Sequence, residues 1–331
     1  MKAVLSKIAG GPDSLTMEEL PEPRPASGEV GIRVRAVGVN YPDALIIEDK
    51  YQFKPQRPFS PGGEISGEVI DVGAGVTRFV PGDRVIGFCG WGGMAEKVVL
   101  PEDRCTPMPA SMSFEEAAAF LFTYGTSHYA LKWRGALKSG EKILILGAAG
   151  GVGLAALELA KAAGARVIAA CSSRDKVDFC LAKGADKGLV YPKGNLDKAA
   201  QKDLSGEIKA VADGSVDLVY DAVGGDYAEP ALRCLDWGGR YLVIGFPAGI
   251  PSIPLNLTLL KSCDIRGVFW GAWVDRFPDE YRQSLKELAR LYDKGKIRPH
   301  VSSIYSLEKA PEAIGELLAR RAKGKIVVKI D

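Results

Sequence analysis

The stretch "GAAGGVG", residues 147–153, joins the apolar run "KILIL" to the alanine-rich "LAALELAKAAGARVIAA". Glycine takes positive φ without strain, so a bare strand–turn–helix accounts for part of this pattern. The spacing accounts for more. The loop reads Ala148-x-Gly150-x-x-Gly153, one residue away from the Gly-x-Gly-x-x-Gly fingerprint of dinucleotide sites. It also lies inside a β–α–β unit of about 30 residues, as that fingerprint requires. Gly150 would let the backbone approach a pyrophosphate, and Gly153 would let the helix pack closely on the strand. The helix start near Gly151 would offer free N–H groups and the positive end of its dipole. The expected contacts are Ala149, Gly150, Gly151 and Val152.

The end of the next strand bears on which dinucleotide. An NAD site usually places an acid about 20 residues after the loop, for the ribose hydroxyls. Here the chain reads "AACSSRDK". Ser172, Ser173, Arg174 and Lys176 are hydroxyls and cations, and the single acid, Asp175, lies past the strand end. A 2′-phosphate suits such donors, so NADPH is the expected cofactor.

Around this loop the chain has two textures. In residues 1–110 short apolar runs alternate with Gly and Pro punctuation. "EVGIRVRAVGV" sets Val30, Ile32 and Val34 against Arg33 and Arg35 at the strand period, and a barrel-like or sandwich unit is expected. Near Ser113 the texture changes. "SFEE" is a capping-box pattern ahead of an alanine-rich helix, and strands and helices then alternate through "RYLVIGF", which predicts a doubly wound parallel sheet. The fold class is therefore α/β with a β-rich companion. Periodicity does not assign the tail, from "DEYRQSLKELARLYDKGK" to "KIVVKI", to either unit.

Composition narrows the function. With 43 basic and 41 acidic residues the net charge is +2, which argues against a nucleic-acid footprint. The start has no apolar signal segment. The longest uncharged apolar stretch, roughly 143–157, falls short of the about 20 residues of a membrane span. The six cysteines form no Cys-x-x-Cys pair and read as thiols of a reducing cytoplasm.

Several segments resemble the zinc-independent quinone oxidoreductases of the medium-chain dehydrogenase/reductase superfamily: "VGVNYPDAL" (37–45), "PGGEISGEV" (61–69), "PGDRV" (81–85), "AAGGVG" (148–153), "VYDAVGGD" (219–226) and "GKIVV" (324–328). The resemblance implies a GroES-like catalytic domain from residues 1–122 and 268–331, and a Rossmann NADPH-binding domain from 123–267. It implies no metal. The zinc alcohol dehydrogenases of the superfamily carry a cysteine and a histidine where this chain has Asn40 and Gly63. His128 and His300 stand isolated.

The same resemblance places a quinone or related enone beside residues matching Asn40, Tyr51 and Thr126. Asn40 is expected to donate to a developing oxyanion, and Tyr51 to donate or stack. As bare residues, Asn40 also reads as a turn former before Pro42, and Tyr51 as a loop aromatic. A second family tyrosine is Leu45 here, which keeps an enoyl-type double-bond reductase open as an alternative. A non-catalytic NADPH-binding protein, structural or RNA-associated, is the alternative of another class. Further cofactor contacts implied are Tyr191, Gly245, Phe246, Phe269, Trp270 and Arg321. A homodimer is implied through an edge strand near "DIRGVFWGAW" (264–273), where Trp270 or Trp273 could equally be interface packing.

Overall fold

In the computed structural model, which describes Met1–Asp331, the chain parts into two units at Phe122/Thr123 and again at Arg298/Pro299. The first unit holds Met1–Phe122 and Pro299–Asp331, the second Thr123–Arg298. Residues 268–298, expected in the first unit, thus belong to the second. Aromatic packing holds them there: Trp273 stacks on Tyr129 with ring centroids 4.6 Å apart and lies 5.0 Å from Trp133.

The first unit begins with an antiparallel pair, β1 (Lys2–Ser6) and β2 (Leu15–Glu19). Next come β3 (Glu29–Val39), β4 (Glu64–Val72), β5 (Arg84–Phe88), β6 (Lys97–Pro101) and β7 (Cys105–Pro107). β3 is the spine. Its alternation buries Val30, Ile32 and Val34 and exposes Arg33. It pairs antiparallel with both β4 and β6. α1 (Tyr41–Ile47) follows β3 directly, with Pro42 in its first turn, where a missing N–H costs nothing. Ser113 then caps α2 (Phe114–Ala117): the Glu116 N–H donates to its hydroxyl at 3.1 Å, and the Ser113 N–H returns to the Glu116 carboxylate at 3.2 Å. The expected alanine-rich helix is only this one turn. π-helical turns at Leu121–Gly125 and Tyr129–Arg134 flank the short α3 (Thr126–His128).

The second unit alternates β8 (Lys142–Leu146), α4 (Gly151–Ala162), β9 (Arg166–Cys171), α5 (Arg174–Ala182), β10 (Lys187–Val190), α6 (Lys198–Val211), β11 (Val216–Asp221), α7 (Ala228–Leu232) and β12 (Leu235–Val243). It closes with α8 (Asn256–Lys261), β13 (Asp264–Gly267), α9 (Trp270–Arg276) and α10 (Pro278–Asp293). The sheet order is β10-β9-β8-β11-β12-β13, parallel throughout. This is the doubly wound Rossmann order. Helices cover both faces of such a sheet, so its strands read as continuous apolar runs such as "KILIL"; Ile143, Leu144 and Ile145 are fully buried.

The tail returns to the first unit as β14 (Val301–Ser306), α11 (Ala310–Leu318) and β15 (Lys325–Lys329). β15 pairs antiparallel with β3 and completes a GroES-like sheet of order β14-β15-β3-β4-β5-β7, with β6 also on β3.

Candidate active site

The glycine loop is built as its sequence demands. Gly147 leaves β8 with φ at +72°, a region that suits glycine. A Cβ on Gly153 would lie 2.2 Å from the Gly147 carbonyl oxygen, so only glycine lets α4 pack this close to the loop. A Cβ on Gly150 would meet nothing nearer than that same oxygen at 3.4 Å. The space above Gly150 is therefore open, as a cradle for a pyrophosphate requires. No side chain caps α4 and no acid occupies its first turn. Ser127 braces the cradle from behind: its hydroxyl donates to the Val152 carbonyl at 2.9 Å and lies 2.9 Å from the Tyr220 hydroxyl. A serine beside Thr126 carries no local sequence signal of such a brace. The donor set and the open cradle fit a dinucleotide.

Parallel pairing of β8, β9, β10 and β12 brings the turns after them to one carboxyl edge. Ser173 caps α5 there, with its hydroxyl donating to Asp175. Asp175 is thus engaged with its own turn. Arg174 is 72% exposed and makes only a surface ion pair with Asp178 at 2.9 Å, so it is free to turn to an anion. Ser172 and Lys176 are half-buried beside it. The Tyr191 N–H donates to the Cys171 carbonyl at 2.9 Å, and the Tyr191 ring packs on Tyr227. Gly245 is half-buried and Phe246 exposed just past β12.

The remaining expected contacts, Trp270, Phe269 and Arg321, differ in setting. Trp270 is buried, because its indole fills the space beside Gly125, where a Cβ would meet it at 2.8 Å. It is core rather than lining, while Phe269 next to it is 45% exposed. Arg321 is exposed on the first unit, just past α11.

In the first unit, Asn40 follows β3 directly, ahead of α1, and lies at the centre of a buried polar cluster. Its Nδ2 donates to the Gly38 carbonyl at 3.1 Å and to Glu64 Oε2 at 3.0 Å, and its Oδ1 accepts from Lys325 Nζ at 2.7 Å. Both amide hydrogens are committed, so the free oxyanion donor expected of Asn40 is not present in this arrangement. Asp43 reaches back from α1 to accept from the Asn40 N–H at 2.7 Å and the Gly62 N–H at 3.0 Å. Burial pushes its carboxyl up to about 6 against these bonds and the Lys325 charge.

Tyr51 is half-buried, and its hydroxyl has no hydrogen-bond partner within the chain. Burial first, then the charge of Asp43, raises its pKa, so it stays protonated at neutral pH. Thr126, in the second unit, is half-buried with an unengaged hydroxyl.

A profile of the alcohol dehydrogenase GroES-like domain matches residues 26–110, and one of zinc-binding dehydrogenases matches 151–290. A quinone oxidoreductase-like protein 2 homolog of Nematostella vectensis is 38% identical over 336 residues, covering 99% of this chain and 88% of that protein. The structure of Escherichia coli quinone oxidoreductase complexed with NADPH aligns with a TM-score of 0.90 at 29% identity, covering 99% of this chain and 100% of that one. That of Thermus thermophilus quinone oxidoreductase, also solved in complex with NADPH, aligns at 0.85 with 34% identity, over 99% and 100%. The chain belongs to the quinone oxidoreductase family of the medium-chain dehydrogenases/reductases.

One of the matching profiles names zinc, but the two positions that the resemblance assigns to a zinc cysteine and histidine hold Asn40 and Gly63, which do not fit that ligand set. A Cβ on Gly63 would lie 2.9 Å from the Gly90 carbonyl oxygen and 3.0 Å from the Phe122 ring, leaving no room for a histidine without a backbone shift. No three His, Cys, Asp or Glu side chains are grouped to hold an ion. A tetrahedral site needs at least three such ligands.

Proposed function

We propose that this protein is an NADPH-dependent reductase of quinones or related α,β-unsaturated carbonyls that works without a metal. The observation that carries the reading is the open Gly147–Gly153 cradle, next to a β9 end that offers Ser172, Ser173, Arg174 and Lys176 and no free acid. NADPH, when bound, supplies the hydride. The chain binds the pyrophosphate at the uncapped start of α4 and holds the 2′-phosphate with the Arg174 and Lys176 cations. Tyr51, protonated and unengaged, donates a hydrogen bond to the substrate oxygen as charge develops there. Quinones and enones are already electrophilic, so orientation and hydrogen bonding replace Lewis-acid activation.

The acting species is a homodimer in this reading. β13 is an edge strand, and the segment that precedes it, the start of α8 and α8 itself, leaves Leu255, Leu259 and Leu260 76%, 78% and 62% exposed. Apolar edges of this kind are usually paired or covered. No helix is long and apolar enough to cross a membrane.

The test is steady-state NADPH oxidation against ortho-quinones, para-quinones, enals and enoyl thioesters, before and after chelation, with sedimentation of the same sample. Quinone or enal turnover that survives chelation, at dimer mass, is expected. Turnover of enoyl thioesters alone would transfer the protein to double-bond reduction, and turnover of none despite NADPH binding would refute the enzyme reading.

A further inference from the structure

Lys325 lies at the start of β15, 5% exposed, with its ammonium enclosed by the first unit. Its three donors meet three acceptors: the Val39 carbonyl at 3.0 Å, Asn40 Oδ1 at 2.7 Å and Glu64 Oε2 at 3.3 Å. Glu64 is fully buried at the start of β4; its Oε2 also accepts from Asn40, and its Oε1 accepts from the Phe122 N–H at 3.0 Å. The register makes this frame stiff. β15, β3 and β4 are neighbours, with Ile326 opposite Val39 and Ile65 opposite Val37, so the three side chains project from adjoining strand ends. Gly38 gives the cluster room, since a Cβ there would lie 2.9 Å from Glu64 Oε2 and 1.9 Å from the Ala118 carbonyl oxygen.

A buried ion pair is seldom kept for stability, because desolvation offsets its attraction and an apolar replacement is often as stable. Here the pair does something an apolar pair could not. Each end of the Asn40 carboxamide is held by a charge of the matching sign, cation on oxygen and anion on nitrogen. The carboxamide cannot flip, and the ammonium on its oxygen draws electron density from its Nδ2 hydrogens. Of those hydrogens, the one shared with the Gly38 carbonyl makes a neutral bond, the cheaper of the two to trade.

The geometry points to Lys325 as a positioning residue for the reductase reaction: it orients and polarises Asn40 so that, with the carboxamide held in place, the Nδ2 hydrogen on Gly38 can also be shared with the substrate oxygen as negative charge develops there. This rests on the reductase reading of the site. Hydride from the bound cofactor would form the new C–H bond with its own electron pair, the π pair of the quinone or enone would shift onto the carbonyl oxygen, and the shared hydrogen bond would spread that charge without breaking the N–H bond. The Lys325 side chain acts through Asn40, one residue removed from the substrate.

The test compares the parent with Lys325→Met, Lys325→Arg and the charge-balanced double variant Lys325→Met/Glu64→Gln. A direct oxyanion donor is worth roughly a hundredfold or more in kcat, and an indirect one about tenfold. The double variant is expected to recover the parent's unfolding midpoint while its kcat stays about tenfold low. Substrate KM and NADPH Kd should stay within a few-fold of the parent, and Lys325→Arg should recover part of kcat. A double variant with the parent's kcat would overturn the proposal and leave Lys325 a structural cation. Side-chain amide NMR of Asn40 gives a readout free of turnover: hydrogens protected from exchange in the parent should lose that protection in the double variant, and unchanged protection would overturn the proposal even if no quinone is accepted. A parent that turns over no quinone or enone counts against the reductase reading and not against the orientation of Asn40.

Discussion

Gly150 and Gly153 stand three residues apart in one loop, yet they should fail in different ways when replaced by alanine. At Gly153 the added methyl would lie 2.2 Å from the Gly147 oxygen and 2.8 Å from the Ala148 Cα, where real contacts essentially never fall below 3.0 Å. Both obstacles are backbone, so α4 must move away from the loop by about 0.8 Å, the shortfall in the closer contact. Overpacking of this kind costs about 1–3 kcal/mol, and rigid neighbours push toward the upper end. Alanine returns up to about 1 kcal/mol of helix propensity, leaving a net loss near 2 kcal/mol together with a distorted cradle. At Gly150 the methyl meets nothing closer than 3.4 Å, and φ is −79°, which any residue adopts. The fold should lose no more than about 1 kcal/mol, the difference between glycine and alanine as a helix N-cap. Its methyl would instead occupy the space the pyrophosphate needs. Urea unfolding followed in the second unit, with NADPH and NADH dissociation constants at one ionic strength, separates the two. Gly150→Ala should shift its midpoint by no more than that loss of about 1 kcal/mol implies and bind both cofactors at least about tenfold more weakly, a loss near 1.4 kcal/mol. Gly153→Ala should lose both stability and binding. Parent-like NADPH affinity in Gly150→Ala would place the pyrophosphate somewhere other than this loop.

Replacing Arg174 and Lys176 together with alanine removes two charge-assisted bonds of roughly 1.5–3 kcal/mol each, less solvent screening at exposed Arg174 and half-buried Lys176. NADPH binding should weaken by about a hundredfold with NADH nearly unchanged, and a variant that still prefers NADPH by the parent's ratio would move the phosphate to other residues. Tyr51→Phe should lower kcat on every accepted substrate while NADPH affinity stays within a few-fold; full rates would make Tyr51 scaffold. The two units should answer pH in opposite senses. Asp43 titrates near 6 when folded and 3.8 when unfolded, so its contribution to the first unit falls by about 3 kcal/mol as pH rises from about 4 to 6. Burial, partly offset by Glu287, lowers His128 from 6.5 to about 4, so its contribution to the second unit grows as pH rises from about 4 to 6.5. Unfolding free energies of the parent against Asp43→Asn and His128→Gln should therefore diverge in opposite directions across pH 4–7, and parallel curves would sink the assignment.

What sequence could and could not disclose follows from how far apart the causes lie. The cradle was legible because all its constraints fall within residues 147–153: a positive φ, an open approach and a close helix contact each ask for glycine at a fixed offset. The alternating strands and helices between Ser113 and "RYLVIGF" were legible for the same reason, since periodicity is a local property. The boundary at 268 was not. "FWGAW" reads equally well as interface, lining or core, and only its stacking on Tyr129, more than 100 residues earlier, decides for the core. Asn40 is the sharper case. Its residue type suggested a donor, and the structure supplies acceptors for both of its amide hydrogens, with the cation on its oxygen arriving from 285 residues away. A lysine opening "KIVVK" has the look of a solvated strand end, and the pairing of β15 with β3 is what puts it in the interior. Charge buried by such a long-range pairing has no local sequence signal, because burial of Lys325 depends on which strand lies beside it rather than on its neighbours in the chain. Asp43 and Glu64 likewise carry no local signal of a role: their partners are the Asn40 and Gly62 amides, the Phe122 amide from the π-helical turn Leu121–Gly125, and the Lys325 ammonium, gathered from four separate segments.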